Sequence, residues 1–90
     1  MTRYSMDTSQ VRSVGNHLKG EAGEIGRLVA VIEGQVNHAL SMWKGDDANQ
    51  FRDWWLHHEK PALLALQKAI DGFGQSAVNS AAAQDRVSGH

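Results

Sequence analysis

The sequence predicts an all-α fold, an antiparallel hairpin of two long helices that dimerises into a four-helix bundle. Three features of the chain carry this prediction. Apolar or small residues recur in alternating steps of four and three through the first half, a glycine-containing break lies near mid-chain, and a second apolar stripe with spacings near 3.6 follows it. Both periods are helical, so a buried strand is excluded.

The first helix is predicted over residues 8–42. Asp7 precedes it as an N-cap, and Gln10 is placed to complete a capping box. Five glycines lie inside the segment, and each lowers helix stability by roughly 1 kcal/mol relative to alanine. We therefore expect this helix to need a packing partner. Its apolar seam comprises Val11, Gly15, Leu18, Ala22, Ile25, Val29, Ile32, Val36, Ala39 and Trp43.

The break is predicted at residues 43–46 and the second helix at about 47–80. Gly45 can adopt the left-handed conformation that ends a helix, and Asp46 or Asp47 can cap the next one. Pro61 removes a backbone donor inside the second helix, so we expect a bend at 57–60. From residue 81 the chain loses its bulky apolar residues, which predicts a mobile tail over 81–90. The stripe of the second helix comprises Ala48, Phe51, Trp55, Ala62, Leu63, Leu66, Ile70, Phe73 and Ala77.

Two long helices share a single line of contact, which leaves part of each apolar stripe facing water. Trp54, Leu56 and Leu64 lie outside the main stripe of the second helix and add to this surface. We therefore expect a second hairpin, identical or different, to cover it. The predicted partner interface comprises Val11, Leu18, Ile25, Val29, Ile32, Val36, Phe51, Trp54, Trp55, Leu63, Leu66, Ile70 and Phe73.

Composition argues against several other classes of function. The nine basic and ten acidic residues are spread over the chain, which disfavours binding to nucleic acid or to an anionic membrane surface. Cysteine is absent, and the segment that begins at His58–Glu59 fails as a zinc-binding motif because its fifth residue is Ala62. We expect no enzymatic activity, metal, cofactor or small-molecule substrate, and the sequence leaves later membrane contact open.

Trp43 and Gly45 lie at mid-chain between the two predicted helices, followed by Ala48 and Phe51. In this arrangement the whole chain resembles the WXG (Trp-x-Gly) family of small proteins similar to the early secreted antigen of mycobacteria. The resemblance implies a helical hairpin that pairs with itself or with a paired WXG-like protein. It also implies contact with the secretion ATPase and export by the type VII (ESX) system of Gram-positive bacteria, without a cleaved signal peptide.

Members of that family often carry a C-terminal Tyr-x-x-x-Asp/Glu export signal, and here Ala81 and Asp85 occupy its two positions. Because the tyrosine is missing, the signal lies on a partner chain, is replaced by another feature, or was never present. The resemblance implies a secreted binding module. Two alternatives stay open: a cytosolic targeting chaperone that pairs with a larger type VII toxin, and a bundle subunit unconnected with export.

The aromatic residues near the turn also have two interpretations. Phe51, Trp54 and Trp55, with His57 and His58, serve core and dimer packing, or they form a surface that the secretion ATPase reads. Packing is the favoured interpretation. Trp54 is expected to be the exposed member, because Trp55 occupies the main stripe.

Overall fold

A computed structural model describes residues 7–88 of the chain, and all regular secondary structure in that range is helical. Helix α1 spans Thr8–Met42 and forms the first arm. Helix α2 (Asp46–Trp54), a π-helical turn (Trp55–Glu59) and helix α3 (Lys60–Ser88) follow one another without a break and form the second arm. The second arm returns along the first, which confirms the predicted helical hairpin.

The seam of α1 faces the second arm. The buried residues Gly15, Ala22, Val29 and Val36 are seven residues apart, and the seam residues between them are half-buried. This is the spacing of a helix that keeps one stripe against a neighbour over its whole length. The N-cap is also confirmed, because the Asp7 side chain accepts a hydrogen bond from the Gln10 backbone N–H at 3.2 Å.

The turn differs in detail from its prediction. Gly45 has φ of 115° and ψ of −174°, a conformation that side chains disfavour, and it is the N-cap of α2 rather than the residue that ends α1. No aspartate side chain caps α2. Instead, Asp46 and Asp47 lie in its first turn, where carboxylates interact favourably with the positive end of the helix dipole.

Pro61 is accommodated by a π-helical turn, and the helix is not broken there. The Lys60 N–H bonds to the Trp55 carbonyl, five residues back rather than four. Such a turn holds one residue more than an α-helical turn, so every later position of the helix moves on by one. The predicted stripe is therefore wrong at three positions beyond Trp55, because Ala62, Leu66 and Phe73 are exposed. Its members Leu63, Ile70 and Ala77 do face α1, and the positions that the prediction omitted are Gln67, Gly74 and Ala81.

The predicted mobile tail is also wrong within the described residues, because α3 continues to Ser88. Ala81 is completely buried, and the Asp85 carboxylate pairs with Arg12 of α1. Small side chains suit this end of the hairpin, where the two backbones come close together. A Cβ atom placed on Gly15 would lie 2.7 Å from the Gly74 carbonyl oxygen.

The hairpin is a thin, elongated layer of 67 × 20 × 14 Å with a radius of gyration of 19.9 Å. A compact domain of this length would have a radius of gyration of about 12 Å. Near the turn, a buried cluster consists of Val29, Val36, Leu40, Ala48 and Trp55. Toward the other end of the hairpin, the buried residues are small ones. Within 7–88, none of the helices combines the length and apolar content needed to cross a bilayer.

Candidate interaction surface

One long edge of the hairpin, which we call the polar edge, joins the two arms through polar side chains. Three residues of α1 make these contacts, and they are separated by seven residues or a multiple of seven. Arg12 pairs with Asp85, Lys19 with Gln75, and Glu33 with Lys60. Because one partner of every pair lies on each arm, these contacts hold the arms side by side.

The best-defined contact of the polar edge is the pair formed by Glu33 and Lys60. The Lys60 ammonium donates to both carboxylate oxygens at 2.7 and 2.8 Å. The hydrogen bond from Lys60 lowers the pKa of Glu33; burial opposes this shift, and the positive charge of Lys60 and the Trp55 indole add to it. The buried Trp55 N–H is close to Glu33 but makes no hydrogen bond of ordinary geometry. This pair therefore lies directly over the π-helical turn.

At the other end of the polar edge, Asp85 links the end of α3 to the start of α1 through its contact with Arg12. Hydrogen bonds from Thr8 and Arg12 lower the pKa of the Asp85 carboxyl. Asp85 and Ala81 are the two positions of the expected export signal. Ala81 is fully buried and Asp85 is paired with Arg12 of α1, so both residues take part in the packing of the hairpin.

The opposite side of the hairpin carries two rows of exposed residues, which we call the outer rows. Each row follows the alternating three- and four-residue steps of a helix seam, one row beside the inner seam of each arm. The outer row of α1 comprises Gln10, Val14, His17, Glu21, Glu24, Leu28, Val31, Gln35, His38 and Met42. The outer row of α3 comprises Ala62, Leu66, Ala69, Phe73, Ser76, Ser80, Ala83 and Val87.

The two outer rows belong to one face, because an open apolar groove of 340 Å³ lies between Val14 and Phe73 and is also lined by Gln10, Val11 and Ala77. Phe73 is 72% exposed, although it is among the largest apolar side chains of the molecule. Residues seven apart on a helix lie on nearly the same side. The spacing therefore places Leu28 on the same side of α1 as Val14, and Leu66 and Val87 on the same side of α3 as Phe73. We call the side of the hairpin that carries these residues the apolar face.

Three aromatic rings group at the turn. Phe51 lies between Trp43 and Trp54, with ring centroids 5.7 Å apart in both pairs. Trp43 and Trp54 are 43% and 46% exposed, whereas Trp55 is 3% exposed, so the expected difference between the adjacent tryptophans is confirmed. Trp43 covers Phe51 at the end of the hairpin and leaves a large part of its indole accessible.

The predicted partner interface divides into three groups in the structure. Val29, Val36 and Trp55 are buried between the arms of the chain itself and are core residues. Only Trp54, Leu66 and Phe73 are exposed. The half-buried members are Val11, Leu18, Ile25, Ile32, Phe51, Leu63 and Ile70.

Sequence reasoning missed the exposed apolar residues of the α1 outer row. Val14, Leu28, Val31 and Met42 are each more than half exposed. Val14, Leu28 and Met42 are separated by multiples of seven residues, immediately before the positions of the inner seam. This second seven-residue period, one position before the inner seam, is the sequence signal that could have identified the outer row of α1.

This face consists of apolar side chains with polar ones between them. Among the described residues, no three His, Cys, Asp or Glu side chains lie together in a way that could hold a metal ion. Comparison of the chain with protein-family models, curated proteins and solved structures gives no match.

Proposed function

We propose that this chain is a non-enzymatic binding module that pairs through its outer rows with a second helical hairpin to form a four-helix bundle. The observation that supports this most is the exposed apolar face, in which Val14, Leu28, Leu66 and Phe73 recur at helical spacing. Exposed apolar side chains that recur along one face, unlike singly scattered ones, are typical of a surface that another chain covers. A helical partner would cover both rows along their length.

The shape of the molecule supports the same proposal. The accessible surface is 6399 Å², whereas a compact monomer of 9.9 kDa exposes about 5,200 Å². A stable interface buries about 800 Å² on each partner. A thin hairpin therefore has enough surplus surface for one standard interface along its apolar face.

The polar edge indicates which side of the hairpin the partner covers. Its charged groups are already used between the arms, as in the Glu33–Lys60 pair, whereas no ion pair between the arms lies on the apolar face within residues 7–88. Covering the polar edge would add desolvation and little apolar burial. The apolar face is the side on which association is most favourable.

We place this pairing in type VII secretion because of the resemblance carried by Trp43 and Gly45. The exposed indole of Trp43 at the turn suits a group that a secretion ATPase contacts. Ala81, by contrast, has no aromatic side chain and is buried. A C-terminal export signal is therefore best supplied by the partner hairpin, and the pair is the unit that is exported.

The association is tested with two matched substitutions on α3. Leu66 lies on the apolar face and is 49% exposed, and Leu64 is 41% exposed. Leu64 lies on the polar edge, because it precedes Asp85 by a multiple of seven residues. We expect Leu66→Ser to weaken binding to the partner purified with this chain from its native host, and Leu64→Ser to leave the affinity unchanged. Isothermal titration calorimetry measures both. Equal affinities for the two variants would count against the apolar face as the binding surface.

A further inference from the structure

With the two histidines of the α1 row, His17 and His38, counted as neutral, the charges of the outer rows are all of one sign. Glu21 and Glu24 are the only charged residues of the α1 row, and the α3 row has none. Neither row contains a lysine or an arginine. The charged side chains on the apolar face are therefore both carboxylates.

The two glutamates differ in their local partners. Glu24 pairs with Arg27, one turn further along α1, and both side chains are well exposed. Glu21 is exposed, and no ion pair of Glu21 is found among the residues 7–88. Its carboxylate is the charge on this face that lacks a cationic partner.

The position of Glu21 along the hairpin makes this charge relevant to partner choice. Helix α1 spans Thr8–Met42, so Glu21 and Glu24 lie close to its midpoint. When two copies of the chain meet face to face, in parallel or antiparallel orientation, the glutamates of both copies come to the middle of the interface. Like charges there disfavour pairing, and the outer rows supply no lysine or arginine to offset them.

We infer that the partner on the apolar face is a different helical chain, which presents lysine or arginine near the middle of its own apolar row, rather than a second copy of this chain. The inference rests on the proposed function and makes the partner more specific. The α3 row also fits such a partner, because Ala62 and Ala69 alternate with Leu66 and Phe73 and leave room for bulky side chains from the facing helix.

A charge-reversed copy of the chain is the probe that tests this inference. In Glu21→Lys the same apolar face carries a lysine at its middle. Asp71→Lys is the matched control, because it changes the net charge by the same amount at an exposed position on the polar edge, a multiple of seven residues before Asp85. Sedimentation equilibrium is measured for the wild-type chain alone and for its equimolar mixture with each variant.

We expect the mixture with Glu21→Lys to form a hetero-pair about tenfold tighter than the wild-type self-pair. The gain should shrink at 1 M salt, where screening acts over about 3 Å. The mixture with Asp71→Lys should behave like wild-type protein. Wild-type self-association as tight as the Glu21→Lys mixture would overturn this inference and leave the proposed pairing intact. Monomers in every sample, at concentrations well above micromolar, would overturn both.

Discussion

The close approach of the two arms at Gly15 gives a prediction whose size follows from the structure. A Cβ atom on Gly15 would lie 2.7 Å from the Gly74 carbonyl oxygen and 2.9 Å from a Val78 methyl group. The first of these atoms belongs to the opposing backbone, so relief requires the arms to separate. Overpacking of this kind typically costs about 1–3 kcal/mol, and alanine recovers about 1 kcal/mol through its higher helix propensity.

We therefore expect Gly15→Ala to change the free energy of unfolding by between about 0 and −2 kcal/mol. Gly20→Ala is the matched control, because nothing lies within 4 Å of a Cβ atom there. That variant should gain about 1 kcal/mol. The difference between the two variants, about 1–3 kcal/mol, is then due to contact between the arms.

Urea denaturation followed by far-UV circular dichroism, at one protein concentration for all variants, measures this difference. Gly26→Ala provides an intermediate case. Its Cβ would meet the Nε2 atom of Gln67 at 2.6 Å, and this side-chain end can rotate away, so stability should stay near the Gly20→Ala value. Stabilisation of Gly15→Ala equal to that of Gly20→Ala would refute the close approach of the arms.

Three further predictions concern the π-helical turn, acid stability and export. Deletion of His57 should convert the turn to regular α-helix and leave the later residues of α3 facing as they do now, because the π-helical turn holds one residue more than an α-helical turn; partner binding should be retained, and its loss would contradict the assigned register. Because the pKa of Glu33 is lowered in the folded state, its contribution to stability is present above its ordinary pKa of 4.5 and is lost as the pH falls through the lower folded-state pKa. The unfolding midpoint should therefore decrease below about pH 4.5, and Glu33→Gln should flatten that decrease in thermal melts from pH 7 to 2.5. Trp43→Ala should reduce the secreted fraction in the native host more than it weakens pairing measured by sedimentation, and equal losses would assign Trp43 to packing alone.

The first arm could be predicted from the sequence almost residue by residue. Its seam has one unbroken period, and four of the five buried residues of α1 belong to it: Gly15, Ala22, Val29 and Val36. The fifth, Leu40, directly follows the seam residue Ala39. A single helix with one apolar stripe has only one favourable orientation against a neighbour. Sequence periodicity alone therefore contains the required information.

The second arm could not be predicted in the same way, because it carries two overlapping stripes one residue apart. One contains Leu66 and Phe73, and the other contains Gln67 and Gly74. Hydrophobicity favours burying Phe73, but the two backbones at Gly15 leave room only for a glycine. The π-helical turn decides between the stripes, and its extra residue has no periodic signature. The outer row of α3 became recognisable only after that turn had fixed the register.

The central claim is that the apolar face is covered in the working form of the protein. The chain has no cysteine, so single thiols can be introduced at Ala69 in the α3 outer row and at Asp71 on the polar edge, both exposed positions. Alkylation rates of Ala69→Cys and Asp71→Cys are compared in the isolated chain and in the complex purified from the native host. We predict strong protection of residue 69 and little change at residue 71 in the complex; equal rates at residue 69 in both states would contradict the claim.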